Sequence, residues 1–328
     1  MAILNSATTR WRLPQAALAT VFFLVSCGNR VTPAAKPQAP PPFEFLGAWG
    51  DKGDGPGQLD APVSFSADNL GNVFFADPGD GFVHKFEGNG TPLLSFQEPG
   101  VRHASGIAVD AGGAIYVASA QMGTILVFFP DGTFFQSWRG APQRHFSGPL
   151  AFGIDEEGTL YFPDSANSRV LKINKHGRVV KSWPAPQKAA SPDERPAWVF
   201  AEPDDLVFVA YPSTGRIEKF SADGAALTSW PAASSPAAAS NPISGFAATS
   251  EFVLTMAPSS GEIRVWSTDG QHKLDADLSP NLGQIAAPQL AVTARGELLV
   301  FDPSAPKVYR FRMHLETKEP HDPAANGS

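Results

Sequence analysis

The residues of this chain that are best suited to bind a ligand are a few cationic and aromatic side chains. Arg102 and His103 are neighbours in the sequence, and Arg195 lies three positions before Trp198. A guanidinium group near an indole ring can hold a planar or anionic ligand through charge and ring stacking. We therefore predict a binding rim formed by these four residues. The alternative is that Trp198 fills space inside the fold.

Catalytic motifs are missing from the sequence. It has no Gly-x-Ser-x-Gly, which would present a serine nucleophile, and no phosphate-binding loop. Cys27 is the only cysteine, so neither a redox pair nor an internal disulfide can form. His84, His145, His176 and His272 show no pattern of partners. The sequence thus favours a binding protein over an enzyme.

These residues lie within six near-copies of one unit that is about 45 residues long. The cleanest copy has apolar runs at 158–164, 170–174 and 178–183, separated by short polar segments. Alternating runs joined by glycine turns predict antiparallel strands. A fourth run, at 150–155, precedes them, so each unit is predicted to be a four-stranded antiparallel sheet.

The register of the repeat can be followed through one position, the end of the second strand. This position recurs at spacings of 42, 45, 47, 46 and 45, at Asp77, Ser119, Asp164, Tyr211, Ala257 and Asp302. Third strands are predicted at 82–86, 125–129, 170–174, 217–221, 263–267 and 307–311. Four-stranded repeats of this length are typical of propeller blades.

Only five of the six third strands are followed by a fourth strand. The missing one stands at 44–49, before the first unit. Pairing of this segment with the last unit would close the ring and remove its open edge. The predicted fold class is therefore all-β: a six-bladed β-propeller of four-stranded antiparallel blades, closed by the N-terminal strand.

Large aromatic residues recur where the fourth strands end, at Phe96, Trp138, Trp183 and Trp230. We interpret them as packing between blades, the alternative being an exposed ring for stacking on carbohydrate. Acidic residues also recur at strand ends, at Asp68, Asp110 and Asp155 and again at Asp77, Asp164 and Asp302. Such regular recurrence is typical of side chains that cap the following turn.

The repeat resembles the NHL family of propellers. Residues 106–110 (Gly-Ile-Ala-Val-Asp) and 114–118 (Ala-Ile-Tyr-Val-Ala) match the first half of that repeat, and 169–173 and 216–220 match the second. The resemblance covers residues 43–315 and weakens where Tyr211 and Ala257 replace the strand-end acid. It implies a six-bladed propeller, a fold that serves docking domains, sensors, scaffolds and a few metal-dependent enzymes.

Resemblance to enzymatic propellers suggests two kinds of metal site. Peptidyl-amidating lyases would have histidine just before several first strands, whereas here only His103 stands there, and a zinc site needs three protein ligands. Propeller lactonases hold calcium with oxygen ligands in the channel, and Asp60, Asn167 and Asn241 could form such a set. No cofactor is assigned; calcium is the cation that this set would suit.

The N-terminus is typical of an exported protein. Arg10 and Arg12 precede an apolar run at 13–25, which is too short to span a bilayer comfortably. Residues 24–27 (Leu-Val-Ser-Cys) resemble the bacterial lipobox, which implies cleavage after residue 26 and acylation of Cys27 with fatty acids such as palmitate. The alternative is an ordinary signal peptide with an incidental cysteine.

The predicted domains follow from these features: a signal peptide at 1–26, the acylated Cys27 with a Pro-rich tether to 42, the propeller at 43–315, and a disordered tail at 316–328. Gly28 after the cysteine favours the outer membrane if the cell is Gram-negative. The net charge of −7 becomes more negative on cleavage, because the signal contains Arg10 and Arg12 and no acid. This negative charge argues against nucleic acid as a partner and against membrane binding through a polybasic segment.

The sequence therefore predicts a lipid-anchored, extracytoplasmic propeller that acts as a protein- or ligand-binding scaffold in the cell envelope. Its partner would be an envelope protein or a small ligand, and it would meet the membrane through the anchor alone. Two alternatives remain open. One is a calcium- or zinc-dependent lactonase or lyase with its site in the central channel, and the other is the sensor component of an envelope signalling system.

Overall fold

The computed structural model describes residues 39–315 except 56, 140–150, 156, 187, 189–193, 203–204 and 233–242. Within these residues the chain forms six antiparallel sheets of four strands each. The first strand of each sheet contacts the first strand of the next sheet, and the last of them contacts the first again. The molecule is therefore a closed six-bladed β-propeller, as predicted.

The strands are short and follow one another as simple meanders. The strand that opens the described chain is β1 (Phe43–Trp49). Blade 1 contains β2 (Ser64–Ala67), β3 (Val73–Asp77), β4 (Phe82–Phe86) and β5 (Pro92–Gln97). Blade 2 contains β6 (Ala104–Val109), β7 (Ile115–Ser119), β8 (Thr124–Phe128) and β9 (Phe134–Arg139). Blade 3 contains β10 (Gly153–Ile154), β11 (Leu160–Asp164), β12 (Arg169–Ile173) and β13 (Val179–Pro184).

The other three blades repeat this order. Blade 4 contains β14 (Trp198–Glu202), β15 (Leu206–Tyr211), β16 (Arg216–Ser221) and β17 (Ala226–Pro231). Blade 5 contains β18 (Gly245–Ala248), β19 (Phe252–Met256), β20 (Glu262–Ser267) and β21 (His272–Asp277). Blade 6 contains β22 (Gln289–Val292), β23 (Glu297–Asp302) and β24 (Lys307–Met313), with β1 as its outermost strand.

Helical structure in the described residues is limited to single turns. Two short 3-10 helices lie at Pro99–His103 and Ser165–Asn167, and one α-helical turn, α1, lies at Ser279–Leu282. None of them has the length and hydropathy needed to cross a membrane, nor does any other helix in this part of the chain. The predicted signal peptide, Cys27 and the 316–328 tail lie outside the described residues.

Ring closure by the N-terminal strand is confirmed. β1 pairs antiparallel with β24 from Phe43 opposite Met313 to Trp49 opposite Val308, with one irregularity between Phe45 and Gly47. The ring of Phe45 also lies 5.4 Å from that of Phe311. The last blade is therefore built from both ends of the propeller sequence.

The middle strands of the blades are continuous apolar runs because both of their faces are covered. Every residue of β3, β7 and β11 is buried, whereas the outer strand β5 alternates toward solvent. The buried side chains form clusters that join neighbouring blades; one of them combines residues of β3 with residues of β23 and β24. Burial of this kind contributes about 25 cal/mol per Å² of apolar surface.

The aromatic residues at the ends of the fourth strands pack between blades, as the sequence indicated. Each lies on a glycine in the turn between the third and fourth strands of the following blade; the pairs are Trp49–Gly90, Phe96–Gly132, Trp138–Gly177, Trp183–Gly224 and Trp230–Gly270. At Gly224, φ is +75° and a Cβ atom would stand 2.5 Å from Cδ2 of Trp183. Only glycine satisfies both the left-handed turn and this close contact.

Candidate functional site

The turns between the first and second strands of all six blades surround a central cavity of about 830 Å³. Each blade contributes the residues at which its first strand ends. The described lining residues are Ala67, Asp68, Asn69, Val109, Asp110, Ala111, Ile154, Asp155, Phe200, Ala201, Glu202, Ala248, Thr249, Ser250, Glu251, Phe252, Val292, Thr293, Ala294, Gly296, Met313 and Leu315. A cavity of this size falls within the range of small-molecule sites.

The charge of the lining is of one sign. Asp68, Asp110, Asp155, Glu202 and Glu251 line the cavity, and no lysine or arginine is found among its described lining residues. Two bases of the same blades lie outside the lining. Lys85 Nζ lies 4.0 Å from Asp68 Oδ2, and Arg295, on one of the same turns, lies against Gly71 of blade 1.

Three of these acids cap the turns that follow them, as predicted. Asp68 Oδ1 accepts hydrogen bonds from the amides of Leu70 (2.9 Å) and Asn72 (2.8 Å). Asp110 Oδ1 accepts one from the amide of Ala114 (2.9 Å), and Asp155 Oδ1 accepts one from the amide of Thr159 (2.8 Å). The sequence needs a side-chain acceptor here because the left-handed glycine turn leaves these amides without a partner in the sheet.

Tyrosine hydroxyls hold two of the same carboxylates from the side. Tyr116 Oη donates to Asp110 Oδ2 at 2.9 Å. Burial, and then the charge of Asp110, raises the pKa of Tyr116 far above its usual value. Burial and Asp155 raise the pKa of Tyr161 in the same way. Both phenols therefore stay protonated, and they hold the two carboxylates as neutral hydrogen-bond donors rather than as ion-pair partners.

The rest of the cavity wall combines apolar side chains with the polar Asn69, Thr249, Ser250 and Thr293. Val109, Ile154, Phe200 and Val292 come from four different blades. Phe200 is half-buried and its ring lies edge-on to Phe246, with 5.3 Å between the ring centroids. The cavity therefore places fixed negative charge beside hydrocarbon and one aromatic ring.

Two members of the predicted binding rim brace neighbouring blades. Arg102 donates to the backbone carbonyls of Gly79 (3.3 Å) and Asp80 (2.9 Å), in the loop between the second and third strands of blade 1. Arg195, which precedes blade 4, donates in the same way to two carbonyls of blade 3, those of Ser165 (3.2 Å) and Ala166 (2.9 Å). Both arginines remain exposed, as does His103.

Trp198 is not on an open surface. It is 5 % exposed and packs in the apolar cluster shared by blades 4 and 5, near Ala210 and Ile217. This position favours the alternative interpretation, in which the indole fills space. Arg102, His103, Arg195 and Trp198 are absent from the cavity lining, and a role for them in ligand binding stays a prediction.

Two of the predicted oxygen ligands, Asp60 and Asn167, are also not among the described lining residues of the cavity. Asp60 lies in blade 1, where its amide donates to Asp77 Oδ2 at 2.7 Å. Asn167 lies in blade 3 and donates its side-chain amide to both carboxylate oxygens of Asp164, at 2.8 and 2.9 Å. Asn241 lies outside the described residues. The calcium set stays a prediction.

Sequence reasoning missed one cluster of potential metal ligands. Single ligand atoms of Asp77, Asp80 and His84 all lie within 4.8 Å of one another in blade 1. His84 Nε2 is 2.9 Å from Asp80 Oδ2, and its Nδ1 is 2.9 Å from Ser95 Oγ. Burial raises the pKa of Asp77, against the lowering effect of three backbone amides that donate to it. The spacing Asp80-x-x-x-His84, with Asp77 at the strand end, was the available signal.

The fold and the cavity together define a six-bladed propeller with an acidic, partly apolar central site. Among solved structures, a streptogramin B lyase is similar at 17 % identity over 79 % of this chain and 85 % of that chain, with a TM-score of 0.56. A catalytically inactive variant of virginiamycin B lyase from Staphylococcus aureus with quinupristin is similar at 13 % identity, over 78 % and 83 %, with a TM-score of 0.58. The β-propeller domain of Myceliophteria thermophila Cps50 (Swd1) is similar at 11 % identity, over 77 % of this chain and 82 % of that chain, with a TM-score of 0.56.

These likenesses show the fold alone. No protein-family model matches the chain, and no curated protein matches it either.

Proposed function

We propose that this chain is a binding module of the NHL type, held in the cell envelope by a lipid anchor, and that its central cavity is the site of recognition. The observation that carries the proposal is the cavity itself, about 830 Å³ in volume and lined by all six blades. A ligand there would contact a ring whose strands are fixed by closure through β1. Rigid scaffolds that carry their recognition residues on turns are well suited to binding.

The contacts of the lining acids support binding rather than catalysis. A general acid or base must be free to exchange a proton with substrate. Asp68, Asp110 and Asp155 instead use carboxylate oxygens to hold the turns that they cap. Their hydrogen bonds preorganise charge around the cavity without offering an obvious proton-transfer partner.

A metal-dependent lyase is the second candidate. The Asp77, Asp80 and His84 cluster supplies two carboxylates and an imidazole of the kind that bind zinc. Two of the proteins with a similar fold are lyases by name. Against this, both ring nitrogens of His84 already have hydrogen-bond partners, and the cluster is not part of the cavity lining.

Native mass spectrometry and metal analysis distinguish the binding module from the metal-dependent lyase. Both are carried out on the full-length protein, isolated in detergent from its own membranes. We expect saturable one-to-one addition of a small molecule from an envelope extract, weakened by Phe200→Leu in the cavity. The exposed Leu227→Ala substitution in β17 is the matched control and should change nothing. Stoichiometric zinc, together with conversion of the added molecule to a product, would establish the lyase instead.

A further inference from the structure

We propose that the central cavity binds an organic cation that carries an apolar body, such as an alkyl or aryl ammonium. The inference rests on the proposed binding function and names the ligand class of that same site. It follows from three features of the cavity: its size, the single sign of its charge, and the apolar wall beside that charge.

The charge of the cavity is both concentrated and fixed. Five carboxylates from five blades line it. Asp68 is paired with Lys85, whose Nζ lies 4.0 Å from its Oδ2, and Arg295 lies against Gly71, outside the lining. Neutral amides and phenols hold Asp110 and Asp155, so these contacts orient the carboxylates without cancelling their charge. A cleft lined by one sign of charge with low-dielectric walls concentrates its field and attracts counter-ions. An anionic ligand would be repelled.

The spacing of the acids favours an organic cation over a metal ion. Calcium needs several oxygen ligands at about 2.3–2.6 Å, so the donors must converge. Among the described residues, one group of at least three His, Cys, Asp or Glu side chains has its ligand atoms within 4.8 Å of one another. It consists of Asp77, Asp80 and His84, which are not part of the cavity lining. The cavity acids come from separate blades, and no three of their carboxylates are found in such a group among the described residues.

The wall explains why the cation should carry an apolar body. Val109, Ile154 and Val292 provide aliphatic surface, and Phe200 provides a half-buried aromatic ring. A cation over the face of an aromatic ring is attracted by the quadrupole of the ring. The binding site that we infer therefore combines the charge of the strand-end acids with apolar side chains beside them.

The opening through which this ligand would enter is not the predicted rim. The cavity is lined by the turns between first and second strands, with Met313 and Leu315 at the end of β24 contributing to its wall. Arg102 and Arg195 lie instead on the connections between blades, where they bind the loops between second and third strands. Positive charge is thus placed at the other end of the first strands.

Three probes that share one body test the inference: 4-phenylbutylammonium, 4-phenylbutyrate and 4-phenylbutanol. Binding to the full-length protein in lipid nanodiscs would be followed by isothermal titration calorimetry, with empty nanodiscs subtracted. We expect the cation to bind at least tenfold more tightly than the anion, and its affinity to fall as salt rises. Equal affinities for cation and anion would overturn the inference.

A matched pair of variants locates the binding. Glu202→Gln with Glu251→Gln removes two charges from the cavity and should weaken the cation at least fivefold. Glu87→Gln with Asp223→Asn removes two exposed charges on outer turns and should leave it unchanged. If the two double variants weaken the cation equally, the cation binds elsewhere and the inference is overturned. Calcium binding that is abolished only by the double variant in the cavity would overturn it as well. Binding of the neutral or anionic probe in the cavity would also overturn it, but would leave the proposed binding function standing.

Discussion

Single residues at fixed positions of the repeat determine how the blades meet. The acids that end the first strands of blades 1–3 cap the turns that follow, and the aromatic residues at the ends of fourth strands cover glycines of the next blade. Both roles follow from local chemistry, since an amide left without a partner in a turn needs an acceptor and a glycine leaves room for a ring. This is why both could be predicted from recurrence alone.

The contact between Trp183 and Gly224 can be tested by substitution. Gly224→Ala introduces a Cβ atom 2.5 Å from the indole at a φ of +75°, so both the clash and the backbone strain should destabilise the fold. Gly296→Ala is the matched control, because its φ is +74° and nothing lies within 4 Å. We expect a loss of about 1 kcal/mol for Gly296→Ala from strain, and about 1–3 kcal/mol more for Gly224→Ala from overpacking. Chemical denaturation measures both, and equal losses would contradict the packing role.

Trp198 gives a second prediction at this scale. Because its side chain is 5 % exposed in an apolar cluster, Trp198→Ala should cost about 3–5 kcal/mol of unfolding free energy. Arg102→Ala and Arg195→Ala remove hydrogen bonds from exposed side chains and should cost about 1 kcal/mol or less each. Melting curves and denaturant titrations of the three variants test this. A Trp198→Ala protein as stable as the wild type would mean that the indole is not packed in the core and lies on an accessible surface.

The cluster in blade 1 shows where residue-level prediction stops. The spacing Asp80-x-x-x-His84 is a weak signal by itself, and it is the loop after β3 that brings Oδ2 of Asp80 to within 2.9 Å of the His84 imidazole. Asp60 joins the same loop through its backbone amide rather than through its carboxylate. Such contacts depend on the path of one loop, which the repeat pattern does not specify.

Individual elements depart from the repeat where blades 3 and 4 meet. In blade 3, Arg169 pairs with Asp164 at 2.7 Å. In blade 4, Tyr211 takes the place of that acid, and Arg216 pairs instead with the buried Glu194 and Glu218, each at 2.8 Å. The weaker sequence match of blade 4 is therefore compensated by an acid from the connection that precedes it. Breaking a buried pair of this kind is strongly destabilising.

The first strands of these two blades also approach unusually closely. The amide of Val199 donates to the carbonyl of Ala151 at 3.2 Å, so the backbones of adjacent blades are hydrogen-bonded. Gly153 permits this approach, since a Cβ atom there would stand 2.5 Å from the amide nitrogen of Ala201. The irregularity was not predictable, because the sequence pattern reports only the burial of a strand and not its distance from the next blade.

Ring closure is the element whose removal should matter most. Deleting residues 43–50 leaves β24 without its outer neighbour and removes the buried Phe43 and the partly buried Trp49, together with all backbone hydrogen bonds of the strand. A buried large apolar side chain contributes about 1.5–3 kcal/mol, so the loss should reach several kcal/mol. The deletion of residues 29–40, which precede the strand, is the control and should cost almost nothing. Differential scanning calorimetry compares the two proteins, and equal melting temperatures would argue against a stabilising closure.

At the scale of the whole molecule, the architecture could be predicted from the sequence but the site could not. The number of blades, the strand order and the closing strand all follow from one repeated pattern. The cavity does not, because it is formed by six turns that are distant in sequence and each of which has its own local chemistry. Asp68, Asp110 and Asp155 are caps, as their recurrence predicts; that they also surround one space is a property of the closed ring.

The ends of the propeller lie side by side. The amide of His314 donates to the carbonyl of Pro42 at 2.8 Å, and Leu315 lines the cavity. The segment that leads back toward Cys27 thus joins the ring next to residues of the cavity wall.

The proposed lipid anchor requires the thiol of Cys27, the one cysteine of the chain, so Cys27→Ser is expected to abolish membrane anchoring. The lipobox-like sequence at 24–27 motivates the prediction, and acyl chains provide membrane affinity of about 0.8 kcal/mol for each buried CH₂ group. Metabolic labelling with an alkyne fatty acid, followed by membrane fractionation, should show labelled wild-type protein in the membrane and an unlabelled variant. Ser26→Ala, which keeps a small residue before the cleavage position, is the matched control and should remain labelled. Undiminished labelling of the Cys27→Ser protein would mean that the chain is not a lipoprotein anchored at this residue.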